Sequence, residues 1–207
     1  MGIDVNSNRF GELERRVTEL KKYLIPSLFE PTGLYEDIVY EHTRAFRVLV
    51  HAEFESFIED RVIEVLNNAF SEWKSSGNVS TSLLAVVAYK ETLHAIPDAL
   101  SGASQKKFLD LEERVESAKN DFNRYVRTQN HGIKAKNLLR MLMPIGFTEV
   151  EIDSTWLSVT ETWASARGEV AHKSAKMQVR PDPQKEVNVV DSILDGFRDI
   201  DRQMASK

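Results

Sequence analysis

Arg167 and His172 stand five residues apart in the stretch Arg167-Gly168-Glu169-Val170-Ala171-His172. An arginine is a permanent planar cation that can hold a phosphate through two parallel hydrogen bonds. A histidine exchanges a proton near neutral pH. Together the two residue types suit cleavage of a phosphodiester without a metal. The segment Thr155 to His172 has helical periodicity. Trp156, Val159, Trp163, Ala166 and Val170 form an apolar stripe, and the small residues Thr160, Ala164, Gly168 and Ala171 lie beside it. A five-residue step on one helix splays the pair too widely for an ideal shared pocket. Two copies meeting at the small stripe across a two-fold axis would bring two Arg and two His into one cleft. The same spacing also has a plainer reading, as an exposed arginine and a histidine whose charge favours a helix C-terminus.

Other polar residues are candidates for support. Glu55 follows His51 by one turn of a long helical segment, which would let it orient His172; it reads equally as a solvated or salt-bridged carboxylate. His51, between Val50 and Phe54, is expected in the core or an interface. Lys134, Lys136 and Arg140 form a basic cluster, followed by Lys173, Lys176 and Arg180. From Asn130 to Arg180 seven Lys or Arg stand against five Asp or Glu, a local +2 in a chain of net charge −5. That reversal fits a face turned to RNA, or simply a solvated one. Asn130-His131-Gly132 reads as a turn between helices, with His131 a lesser RNA contact. A competing pattern is Glu-x-x-His, present as Glu91–His94 and Glu169–His172, with Glu55 or Glu59 as bridging carboxylates of a di-metal bundle. A pattern that loose is expected by chance in a chain this rich in Glu.

The elements that must position these residues are helices. From Glu36 to about Trp73, Phe46, Val50, Phe54, Phe57, Ile58, Val62, Val65, Leu66, Ala69 and Trp73 recur at three- and four-residue steps without a Gly or Pro. Further helices are expected over Phe10–Leu24, Thr81–Ala95, Gln105–Arg127 and Ile133–Met143. Another runs from an Asp153 or Ser154 cap to His172, and a last one opens at Pro181-Asp182-Pro183. Alternating β-branched runs do not appear. The fold class is therefore all-α, an antiparallel bundle with one long central helix. Residues 1–30 are expected as a helical arm and 31–207 as the helical domain.

The 207 residues include no cysteine, which excludes disulfides, thiolate metal sites and a cysteine nucleophile and fits a reducing cytoplasm. The longest apolar run, Leu83 to Tyr89, is far short of the ~20 residues a membrane span needs. No cofactor is expected.

Arg167-Gly168-Glu169-Val170-Ala171-His172, on a late helix of an all-α domain, resembles the Rx4-6H signature of HEPN domains. His51-Ala52-Glu53-Phe54-Glu55-Ser56-Phe57-Ile58-Glu59 and Asn130-His131-Gly132-Ile133-Lys134 resemble the subgroup called RiboL-PSP-HEPN. The resemblance covers about Glu36 to Arg180. It implies a metal-independent endoribonuclease that acts as a homodimer with a composite active site. Such domains often serve in toxin–antitoxin or antiphage systems, where a cognate antitoxin or regulatory protein is a partner. Arg167 and His172 match the two named motif positions. Many members carry Asn, Asp or His directly after the motif Arg, where this chain has Gly168. That departure leaves room for a member that binds RNA, nucleotide or protein without cutting.

Overall fold

The computed structural model describes residues 6–90, 110–172 and 180–207, with the side chains of 167–172 outside that description. Seven α-helices and no strand occur among the described residues. They are α1 (Asn8–Leu24), α2 (Asp37–Ser76), α3 (Thr81–Ala88), α4 (Leu111–Thr128), α5 (Ala135–Leu142), α6 (Ser154–His172) and α7 (Pro183–Met204). Single 3-10 turns at Met143–Ile145 and Glu149–Glu151 join α5 to α6.

The 40-residue α2 is the spine. At 1.5 Å per residue it is about 60 Å long, and it touches every other helix. Its uninterrupted apolar stripe explains this: Phe46, Val50, Phe54, Phe57, Ile58, Val62, Val65, Leu66 and Ala69 are all buried. Gly77, at φ +79°, ends the helix in the left-handed conformation. Ser7, Ser80 and Asp182 cap α1, α3 and α7 by accepting a backbone N–H. Asp110 and Glu113 form a reciprocal capping box on α4. Of the two candidate caps for α6, Asp153 does the work, its Oδ1 accepting from Thr155 N at 2.7 Å. The expected bounds of α1, α2, α5, α6 and α7 hold within a few residues. Two bounds differ from the sequence expectation: the helix expected over 81–95 ends at Ala88, where Tyr89 is its C-cap, and the helix expected from Gln105 starts at Leu111, because Asp110 is extended and caps it; residues 91–109 lie outside the described residues.

Phe197 of α7 sits at the centre of the core. Its ring lies 5.0 Å from Phe54, 5.7 Å from Phe57 and 5.2 Å from Trp156. Helix α1 adds Phe10, Leu13, Val17 and Leu20, with Phe10 edge-on to Phe57 at 5.7 Å. Helix α6 presses directly onto α7: the Trp156 indole donates to the Ile193 carbonyl at 3.0 Å. A Cβ at Gly196 would stand 2.0 Å from Trp156 Cδ1. Gly196→Ala is therefore expected to force this indole out of the core. Overpacking costs typically ~1–3 kcal/mol, and a rigid indole puts this site at or above the upper end; a melting curve against the parent reads the loss.

The first half of the small stripe of α6 has a different role from the one its sequence suggests. Thr160 and Ala164 are buried within the chain itself. This half of the stripe therefore serves packing inside one copy. No described helix is long and apolar enough to cross a membrane.

Candidate functional site

Three stretches far apart in sequence meet beside the middle of α2. His51 is buried on α2, and its imidazole stacks on the Trp163 indole of α6, ring centres 5.9 Å apart and planes 20° from parallel. One turn further along α2, Glu55 brings Oε2 to 3.7 Å from His51 Nδ1. The other Glu55 oxygen accepts the Gly132 backbone N–H in a short hydrogen bond.

The turn that offers this N–H is tied down at both ends. Asn130 is buried; its Nδ2 donates to the Asn137 carbonyl at 3.1 Å, and its Oδ1 accepts from the Tyr125 hydroxyl at 3.3 Å. Asn137 Nδ2 in turn donates to the His131 carbonyl. Glu161 of α6 accepts the Ala135 N–H at 2.6 Å, satisfying one of the open amides at the start of α5. The turn is thus pinned to α2 through Glu55 and to α6 through Glu161.

Gly132 makes the turn possible. Its φ is +90°, and an added Cβ would lie 3.5 Å from Asn137 Nδ2 and 3.8 Å from His51 Cε1. Those are ordinary contacts, so the cost of a side chain is conformational. Gly132→Ala is expected to lose about 1–2 kcal/mol, seen as a lower melting temperature. Gly11→Ala, a helical site with nothing within 4 Å of its Cβ position, should be neutral or slightly stabilising.

A charge network borders the turn. Arg127 of α4 bridges Glu59 at 3.1 Å and Asp60 at 2.6 Å, and Arg9 of α1 reaches Asp60 at 2.9 Å. Burial, with Glu55 nearby, pushes the Glu59 carboxyl up despite Arg127. At Asp60 burial also pushes upward, but hydrogen bonds from two guanidinium groups outweigh it and the carboxyl falls below its usual range. The potential ligand atoms of Glu55, Glu59 and His131 lie within 4.8 Å of one another. Two carboxylates and an imidazole are a donor set that suits a divalent ion. Arg127 and the Gly132 N–H already engage one oxygen of each carboxylate. Glu91 and His94, the other half of the di-metal pattern, lie outside the described residues.

The other sequence candidates fall as follows. Arg167, Glu169 and His172 lie on the last turns of α6, with side chains outside the described residues. Arg167 comes one helical turn after Trp163. His131, Lys134 and Lys136 are exposed on or beside the pinned turn. Arg140 is exposed and also lines an apolar cavity of about 410 Å³ between α3, α4 and α5. Lys173 and Lys176 lie outside the described residues.

Sequence reasoning missed the junction of three residues behind the Trp163 ring that stacks on His51. Trp163 reads as one more apolar residue of its stripe, and its indole contacts become visible only in three dimensions. Arg47 and Glu186 are 139 positions apart, yet they form an ion pair whose buried carboxylate also takes the Trp163 N–H. The one available signal was Glu186 itself, a charge close to the apolar face of the last helix.

The family model described as RiboL-PSP-HEPN matches residues 11–206. Neither a curated protein nor a solved structure matches the chain.

Proposed function

Because the chain belongs to the RiboL-PSP-HEPN family, a family of RNase and RNA-binding domains, we propose that it is a metal-independent endoribonuclease whose reacting groups are Arg167 and His172. The observation that carries this proposal is the meeting of the three stretches behind the resemblance. The His51–Glu55 helix face, the Asn130–Lys134 turn and helix α6 are joined by the Trp163 stack and the Gly132 and Glu161 hydrogen bonds.

In the proposed reaction the ribose 2′-oxygen attacks the adjacent phosphorus while its proton passes to a base, and the bond to the 5′-oxygen breaks as that oxygen gains a proton. His172 performs one of these two transfers. Arg167 stabilises the charge that gathers on the non-bridging oxygens. His51 and Glu55 support the pair from α2, and Glu169 lies between the two on the same helix. Lys134, Lys136, Arg140, Lys173 and Lys176 contribute sequence-independent attraction for phosphate. A second copy supplies a second Arg–His pair across a two-fold axis. In the cell the activity fits a toxin or antiphage effector in the cytoplasm, held in check by a partner protein.

The test is digestion of RNA and of DNA of the same sequence, each with and without a strong chelator. RNA alone should be cut, since DNA lacks the attacking hydroxyl, and the chelator should leave the rate unchanged. Gly168 supports a second reading, a member that binds RNA without cutting it; retention of RNA with no turnover in the same assay would favour that.

A further inference from the structure

We infer that Glu186 is a positioning residue: by gripping the Trp163 indole it sets the stance of α6 against His51, and through α6 the placement of Arg167 and His172. The inference rests on the ribonuclease reading of that helix.

Glu186 is 3% exposed in the first turn of α7. A buried carboxylate is costly unless donors surround it. Here there are three. Arg47 of α2 contributes Nε at 2.9 Å and a short bond from Nη2, and Trp163 of α6 contributes Nε1 at 2.7 Å. The Arg47 fork fixes the plane of the carboxylate. The carboxylate then fixes where the indole N–H points, and the ring lies flat on His51. One side chain of α7 thereby sets the relation between α6 and α2.

An apolar plug of the same volume would join three helices at least as stably. What the ion pair adds is direction. His172 follows Trp163 by nine residues, about 13.5 Å along the axis. A tilt of about 5° at the Trp163 turn would move a group at that distance by about 1 Å, and a 1 Å misplacement of reacting groups can cost about 100-fold in rate.

The test compares the parent with Glu186→Gln and Trp163→Phe. Glutamine keeps the shape and one acceptor but removes the charge that Arg47 grips. Phenylalanine keeps a ring over His51 and removes the N–H. Both variants should lower kcat by roughly 10- to 100-fold with KM for RNA within about twofold. The double variant should be no slower than the slower single one. In parallel, the His51 Cε1–H resonance should shift in Glu186→Gln at a temperature where the protein is fully folded. Two folded variants with the parental kcat would overturn the inference and leave the ribonuclease reading standing. If the parent itself does not cut RNA, that reading fails alone, and an unmoved His51 resonance would then overturn the positioning of Trp163. Should Glu186→Gln fail to fold, Trp163→Phe carries the comparison of kcat with KM.

Discussion

His172→Ala should cut RNA about 10²- to 10⁴-fold more slowly than the parent, the range a positioned acid or base contributes. Its helical content and melting temperature should stay near the parental values, because the substitution falls at the end of α6. Arg167→Ala should lose about 10²- to 10³-fold, as expected when a donor to developing charge is removed. Arg167→Lys should recover only part of that loss, since lysine keeps the charge but not the two-pronged geometry. The expected pattern is therefore His172→Ala and Arg167→Ala both slowed at least about 100-fold and both folded. A variant of either residue with parental rates would remove it from the mechanism. The rates can be followed with a fluorescently end-labelled RNA, and folding by circular dichroism on the same samples.

Asp201→Ala should destabilise the fold more than Glu186→Gln, Arg167→Ala or His172→Ala. The Asp201 side chain is fully buried. It accepts from Arg61 Nε at 2.7 Å, Ser7 N at 2.7 Å, Ser7 Oγ at 2.8 Å and Asn6 Nδ2 at 3.2 Å. Alanine would take the acceptor from Arg61 Nε, leaving the buried guanidinium only its Nη1 contact with Glu64 at 2.6 Å, and would release the chain just before α1. Removing one partner of a buried pair costs about 3–5 kcal/mol. For a domain of this size that is a fall in melting temperature of roughly 10 °C. Asp201→Asn should lose less, because it keeps an acceptor. A melting temperature for Asp201→Ala within a degree or two of the parent would mean that the N-terminal anchor does not hold α1 to the bundle. Since Asp201 and Arg61 lie apart from His51 and Glu55 in the contacts that hold each group, kcat at a temperature where the variant is folded should be close to parental.

Much of the fold could be read from the sequence because its strongest signal is periodic. The α2 stripe from Phe46 to Ala69 is buried as its spacing requires, and the helix stops at Gly77, the first glycine after that stripe. The Asp153 cap of α6 and the Pro181-Asp182-Pro183 opening of α7 were legible because they too are local. Long-range contacts were not. Gly196 looks like a weak point in a helix until the Trp156 indole is seen against it. Thr160 and Ala164 look like a surface for a second copy, whereas they pack inside one. At the candidate site, His51 and Glu55 were legible as one-turn neighbours. The partner that fixes Glu55, the Gly132 N–H, lies 77 positions away and has no side chain to mark it. The Arg47–Glu186–Trp163 junction joins three helices through a single buried carboxylate, and no spacing rule connects its members.

The most direct measurement is the chemistry of the ends left when the purified protein digests RNA in the presence of a chelator, with His172→Ala run beside it. The parent should leave 2′,3′-cyclic phosphate (or its hydrolysed phosphate) on one fragment and a free 5′-hydroxyl on the next, and the variant should leave the RNA whole. Ends carrying a 5′-phosphate, cleavage that stops when divalent ions are removed, or equal digestion by the variant would contradict an arginine–histidine reaction on the ribose 2′-oxygen.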